Sequence, residues 1–415
     1  MSEEQIKNHG WSVTFAGMGI NLALGILYTW SVISKGIPEE WGWNESDKSW
    51  PYSVACLVFC LIMVPAGRMQ DKLSPRLVAT IGGILVGLGF IVASFTTSLL
   101  GFIIAFGVLA GAGIGFGYAS ATPPSVKWFP PAKTGMIAGI VVSGFGLASV
   151  YAAPLAKWLM NFGFDTMLMT LGIAFLVVVC GLAQILKTPP GDYIPAGYTP
   201  SVVALGDKKE EFLPKEMLKT AQFYMLWFMY ACGAGAGLMI ISKLAAIAGQ
   251  EKIGIQLGFI LVAVLAVGNG GGRIVAGILS DKIGRKATML ICFISQAIFI
   301  FLLSLASKEN ALGTVGVMAM ISALIGANYG ANLSLFPSIT KDYYGIKNFG
   351  MNYGLVFTAW GVGGFMLAKL AGAMYVKYQT FNIAYYGASA LLILAAVMVF
   401  FIKPPHHIEM ADESN

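Results

Sequence analysis

Gly67-Arg68-Met69-Gln70-Asp71-Lys72-Leu73-Ser74-Pro75-Arg76 recurs 210 residues later as Gly277-Ile278-Leu279-Ser280-Asp281-Lys282-Ile283-Gly284-Arg285-Lys286. Each copy lies between two apolar runs, and Gly, Asp, Lys and a closing base align at the one shift. A single short basic turn is an ordinary anchor on the positive side of a membrane. Two copies in register indicate duplication, the pattern of membrane carriers whose halves rock about a central site.

The rest of the chain fits that reading. Of 415 residues, 57% are hydrophobic and only 11% charged, too few charges to coat a water-soluble body of this length. Runs of roughly 20 apolar residues span a bilayer. Twelve are read near 11–36, 49–67, 77–97, 101–127, 135–160, 166–187, 220–247, 255–277, 287–306, 312–340, 348–376 and 380–402. The expected architecture is an all-α membrane protein: a six-helix bundle over 1–187, a polar linker over 188–219 and a second six-helix bundle over 220–415.

Residues 1–10 carry acids and no apolar core with a cleavage site, so they read as a retained tail and not a signal peptide. Lys and Arg crowd alternate loops, including Arg68, Lys72, Arg76, Lys127, Lys133, Lys341 and Lys347. The opposite loops hold chiefly Lys35, Lys48, Lys243, Lys252 and Lys308. This bias predicts a cell-membrane protein with both termini cytoplasmic. It also explains the net charge of +6 without a nucleic-acid partner. Cys56, Cys60, Cys180, Cys232 and Cys292 all fall in apolar runs without metal-ligand spacing, so they read as packing residues, and no metal or cofactor is expected.

One charge breaks the pattern. Arg273 closes Val267-Gly268-Asn269-Gly270-Gly271-Gly272-Arg273 inside the eighth run. An arginine at that depth costs about 2.5–3.5 kcal/mol on insertion scales and normally faces a cavity or a partner. The acids fall in tails, loops or helix ends (Glu39, Asp71, Asp165, Asp192, Glu251, Asp281, Glu309 and Asp342), so none is placed to neutralise it. Two environments suit such a guanidinium: a groove opened by the three glycines, where it forks onto a carboxylate, or a snorkel toward the interface near Gly277. The 210-residue shift puts Met63 opposite it, so the cation belongs to one half, which suits a monoanion.

Around it, Tyr28 lies two turns beyond Asn21. Tyr118 and Tyr329, 211 residues apart, are pseudo-symmetric candidates for gripping a cargo, with Asn328 and Asn269 as nearby amides. Tyr353, Phe357 and Trp360 share a helical spacing. Each tyrosine equally suits packing, its hydroxyl bonded to a neighbouring helix.

The repeated motif resembles the loop motif of the major facilitator superfamily, found between helices 2 and 3 and again between 8 and 9; the first copy has Ser74 where the pattern wants Gly. The resemblance implies a conformational latch of Gly67, Asp71, Lys72, Arg76, Gly277, Asp281, Lys282 and Arg285. Gly135, Gly139, Gly144, Gly146 and Pro154 resemble the superfamily's antiporter-type motif, or serve close helix packing alone. Gly25-Ile-Leu-Tyr28-Thr-Trp30, Gly111 to Tyr118 with Lys127-Trp-Phe-Pro130, Asn269 to Arg285, and Leu335-Phe-Pro337 resemble the monocarboxylate transporter and oxalate–formate antiporter branch.

Two departures matter. Mammalian-type monocarboxylate transporters carry Asp where Asn269 stands, and the oxalate–formate antiporter carries Lys where Trp360 aligns. The resemblance implies a monomeric secondary transporter of small monocarboxylates such as lactate or pyruvate, with a proton as co-substrate; the alternative is organic-anion exchange of the oxalate–formate type. His9, His406 and His407 sit at the chain's ends, so a proton carried by the cargo's own carboxyl group is one route. No nucleophile–base constellation or phosphate-binding loop indicates an enzyme or an ATP-driven pump.

Overall fold

In a bilayer every backbone N–H and C=O must be satisfied within the chain, which leaves helices as the solution for apolar runs of this length. The computed structural model describes residues 8–191, 193–195, 211–248 and 258–405. Twelve helices among them are long and apolar enough to cross a membrane: α1 (Gly10–Gly36), α2 (Trp50–Lys72), α3 (Pro75–Ala93), α4 (Leu99–Lys127), α5 (Pro131–Phe162), α6 (Phe164–Ala183), α7 (Ala221–Leu244), α8 (Leu261–Ile283), α9 (Arg285–Ser304), α10 (Val315–Tyr344), α11 (Phe349–Tyr375) and α12 (Asn382–Phe401). Lys208, Lys209, Asp192, Glu251, Lys252, His406, His407 and the middle of the expected linker lie outside the described residues.

The apolar surface is turned outward on α3, α6, α9 and α12, where Leu88, Val177, Ile298 and Phe400 are exposed, as lipid-facing positions should be. The halves meet along two seams, α2 against α11 and α5 against α8. Both seams are close backbone contacts. A Cβ added at Gly67 would stand 2.2 Å from the Gly350 carbonyl oxygen, and one at Gly277 would stand 2.3 Å from that of Gly135. Small residues are what allow helices to approach this closely in lipid.

The helices before the repeated motif, expected to end near 67 and 277, run on through it to Lys72 and Ile283, which puts Asp71 and Asp281 at helix ends. Each carboxylate reaches across its seam to the opposite half. Asp71 accepts from the backbone N–H of Gly350 (3.2 Å) and Met351 (3.0 Å) at the start of α11. Asp281 accepts from Gly135 (3.3 Å) and Met136 (3.0 Å) near the start of α5. An acid over unsatisfied N–H groups at a helix N-terminus is favourable by charge and by hydrogen bonding.

The two copies finish differently. Arg285 donates to Asp281 (2.6 Å) and Asp342 (2.9 Å), so the second copy of the motif also holds α10. Ser74 is extended and caps α3 by accepting from the Leu77 N–H (3.2 Å), whereas Gly284 adopts φ +91°, a conformation only glycine takes freely. Lys72 and Lys282 are exposed, and Arg76 lies at the start of α3. α10 also continues past its expected end, which buries Lys341, read above as a loop cation. Its ammonium donates to the Thr134 hydroxyl of α5.

Gly67→Val would put a branched side chain where only a hydrogen fits. We expect the latch ends of α2 and α11 to separate, read as a longer spin-label distance between those helix ends, with the opposite end of the bundle unaffected.

Candidate functional site

Midway along the bundle the two halves meet over aromatic side chains and a single buried guanidinium. Arg273 is fully buried on α8. Its Nε donates to Asn269 Oδ1 one turn earlier (3.1 Å), and Nη1 donates to the Val142 carbonyl of α5. The second terminal nitrogen, Nη2, makes no hydrogen bond of ordinary geometry, and the Tyr28 hydroxyl lies close to the guanidinium. Among the described residues no carboxylate lies within 4.0 Å of it; Asp281 and Asp342 pair elsewhere, with Arg285 and Lys341. The side chain therefore does not snorkel. It stays in the interior with neutral partners.

Gly146 explains how it fits. A Cβ there would stand 3.1 Å from Arg273 Nε and 2.9 Å from the Gly270 nitrogen, so a side chain on α5 would push the guanidinium away. The glycines before Arg273 do not open the groove expected of them. Gly272 instead lets α8 press onto α10, with its added Cβ 2.2 Å from the Ala327 carbonyl oxygen.

Phe145 of α5 lies beside the cation, its ring centroid 5.9 Å from Arg273 Cζ. Tyr28 and Tyr118 stand edge-on to the same ring at 4.9 and 5.4 Å. Tyr28 reaches its place through a tightened stretch of α1, Gly25–Thr29, at the point where Gly25 abuts the Phe145 carbonyl. The Tyr28 hydroxyl bonds that of Tyr329 across the halves, and Trp360 Nε1 donates to Tyr329 (2.8 Å). This chain joins α1, α10 and α11. Tyr118 differs: its buried hydroxyl lies near Tyr353 but has no hydrogen bond of ordinary geometry. Phe357 stacks on Trp360 (5.3 Å) and lies 5.4 Å from Tyr118.

The structure thus brings Arg273, Asn269, Tyr28, Tyr118, Tyr329, Phe357 and Trp360 together. Asn328 lies elsewhere: its Oδ1 accepts from Ser295 of α9 (2.8 Å) and its Nδ2 donates to the Leu324 carbonyl. One position along a helix turns a side chain by about 100°, enough to part Asn328 from Tyr329. Asn21 likewise serves packing, donating to Val141 O (2.9 Å). Sequence reasoning missed Phe145 and Phe59. Phe145 had a signal in Gly144-Phe145-Gly146, a large ring between glycines; Phe59 has none in its apolar run.

A family model for the Major Facilitator Superfamily matches residues 11–272 and 250–414. The chain belongs to this superfamily. The oxalate:formate antiporter of Oxalobacter formigenes is 26% identical over 402 residues, covering 96% of this chain and 92% of that protein. Human monocarboxylate transporter 11 is 24% identical over 404 residues, covering 95% and 83%. A solved structure of a double-Trp mutant of XylE shares the fold, with TM-score 0.74 at 15% identity over 95% of this chain and 96% of that one. As a superfamily transporter with twelve spanning helices, this is a multi-pass membrane protein and not an enzyme.

Tyr118 and Tyr329 should part under substitution. Tyr329→Phe removes a shared acceptor and should lower the stability of the empty transporter by about 1 kcal/mol. Tyr118→Phe removes a hydroxyl without a partner and should leave the melting temperature of the empty protein unchanged. Thermal denaturation of both in detergent checks the contrast.

Proposed function

We propose that this transporter carries small monocarboxylates of lactate or pyruvate type by alternating access, with Arg273 holding the carboxylate and the latch end facing the cytoplasm. The observation that carries the reading is a fully buried guanidinium with neutral partners and one nitrogen that makes no hydrogen bond of ordinary geometry. Leaving a buried charged donor unpaired costs several kcal/mol, and a carboxylate is the counterion whose geometry answers a guanidinium. The Tyr118 hydroxyl, also unpartnered, is a second donor for a carboxylate oxygen or a 2-oxo or 2-hydroxy group. The aromatic rings then receive the short tail. Two relatives carry names of monocarboxylate or oxalate and formate transport, which agrees with an organic-anion cargo.

Proton symport rests on a separate argument. It is carried over from the resemblance in the sequence: among the described residues no carboxylate or imidazole lies beside Arg273, so no side chain here is assigned the proton. Exchange of the oxalate–formate type is the alternative. The site gives a dianion only one fixed cation, because Trp360 donates through its indole to Tyr329 where a second base would be needed.

In proteoliposomes, Arg273→Ala should abolish lactate uptake, and Arg273→Lys should lose roughly a hundredfold in kcat/KM because the charge remains but the fork is gone. Full activity in Arg273→Ala removes the reading. Uptake driven by an imposed proton gradient supports symport; gradient-independent counterflow of oxalate and formate supports exchange instead. Asn269→Asp supplies Arg273 with a fixed counterion. Its apparent KM at neutral pH should rise at least about tenfold.

A further inference from the structure

Phe59 is an aromatic on the α2 side of the site, and nothing in the repeat or the motifs singles it out. It is buried, 1% exposed, on a helix that forms a seam between the halves. Its ring centroid lies 5.4 Å from Tyr118 and 5.8 Å from Phe145 in its own half. Across the seam it lies 5.1 Å from Phe357 and 5.2 Å from Trp360. It therefore touches four side chains around the cation. Phe145 is the ring beside the Arg273 guanidinium, and the Tyr28–Tyr329–Trp360 chain closes another side with hydrogen bonds. Phe59 makes only ring contacts, so it fills space without binding a polar group.

Resting on the anion reading above, we propose that Phe59 is the specificity residue that limits the length of the cargo's tail. A carboxylate on Arg273 Nη2 directs its carbon chain against the packed rings of Tyr118, Phe357 and Trp360, and Phe59 is the ring in contact with all three. A cargo with a longer chain must displace that ring. Displacement costs packing on both halves at once, since the same ring spans the α2–α11 seam. The other bounding residues are poor candidates for this role. Trp360 is tied to Tyr329, Tyr118 offers its hydroxyl to the cargo, and Phe357 is held by stacking on Trp360 and by Tyr353.

The test uses the full-length protein in proteoliposomes. Unlabelled acetate, propionate, butyrate, pentanoate and hexanoate compete with labelled lactate, for wild type, Phe59→Leu, Phe59→Ala and Phe59→Trp. Binding of the same five acids is read in parallel as thermal stabilisation in detergent, which works for a variant that binds without transporting. Wild type should lose roughly tenfold in inhibition for each methylene beyond the preferred length. Phe59→Leu and Phe59→Ala should move the preferred length up by one or two carbons while lactate uptake persists, and Phe59→Trp should move it down. An unchanged length profile in variants that still bind propionate overturns the assignment of Phe59 and leaves the anion reading intact. If none of the five acids competes with or stabilises even wild type, the anion reading falls and this assignment falls with it.

Discussion

Everything distinctive about this transporter depends on one charge held where water cannot screen it. A guanidinium only donates, through a rigid planar fork, so burying Arg273 leaves donors that other groups must meet. It has to be satisfied by hydrogen bonds and by an opposite charge. The fold supplies the first only in part, through Asn269 and the Val142 carbonyl. What it withholds is a carboxylate. Interior arginines in lipid are normally matched by an acid or face water, and this one is surrounded by rings and amides.

That arrangement is possible because the scaffold around it is tightly specified. Glycines at the two seams bring α2 against α11 and α5 against α8 at backbone distance. Asp71 and Asp281 then clamp the latch end by reaching across to N–H groups of the other half. These contacts are local and each is modest, and each joins a helix of one half to a helix of the other. The latch end and the cation are linked by α8 itself, since Asp281 lies two turns beyond Arg273 on the same helix.

The architecture was legible because lipid imposes a simple rule on length and polarity, and because the motif repeats. Helix ends were less so: α2, α8 and α10 run past the apolar stretch, since a helix continues into the interface for as long as its polar side chains find partners there. Arg273 stood out as a charge in an apolar run, and Tyr28, Tyr118 and Tyr329 as polar groups at depth. Asn328 shows the limit, because neighbouring positions on one helix face different helices and a sequence does not say which. Phe59 shows a second limit. A phenylalanine among apolar residues looks the same whether it faces lipid, core or cargo. Only packing separates the three.

The seams also show what the duplication left free to change. Gly350, Gly354 and Gly361 follow Gly135, Gly139 and Gly146 at a constant offset of 215, and each meets α2 where its counterpart meets α8. Met63 sits against Gly354 as Arg273 sits against Gly139, with matching backbone contacts. The two-fold frame is therefore indifferent to what stands at these two positions. A descendant with a base at both would present paired cations on an unaltered skeleton. The glycine ladder and the side chains at 63 and 273 can thus diverge independently in evolution, one setting how closely the halves approach and the other how much charge lies between them.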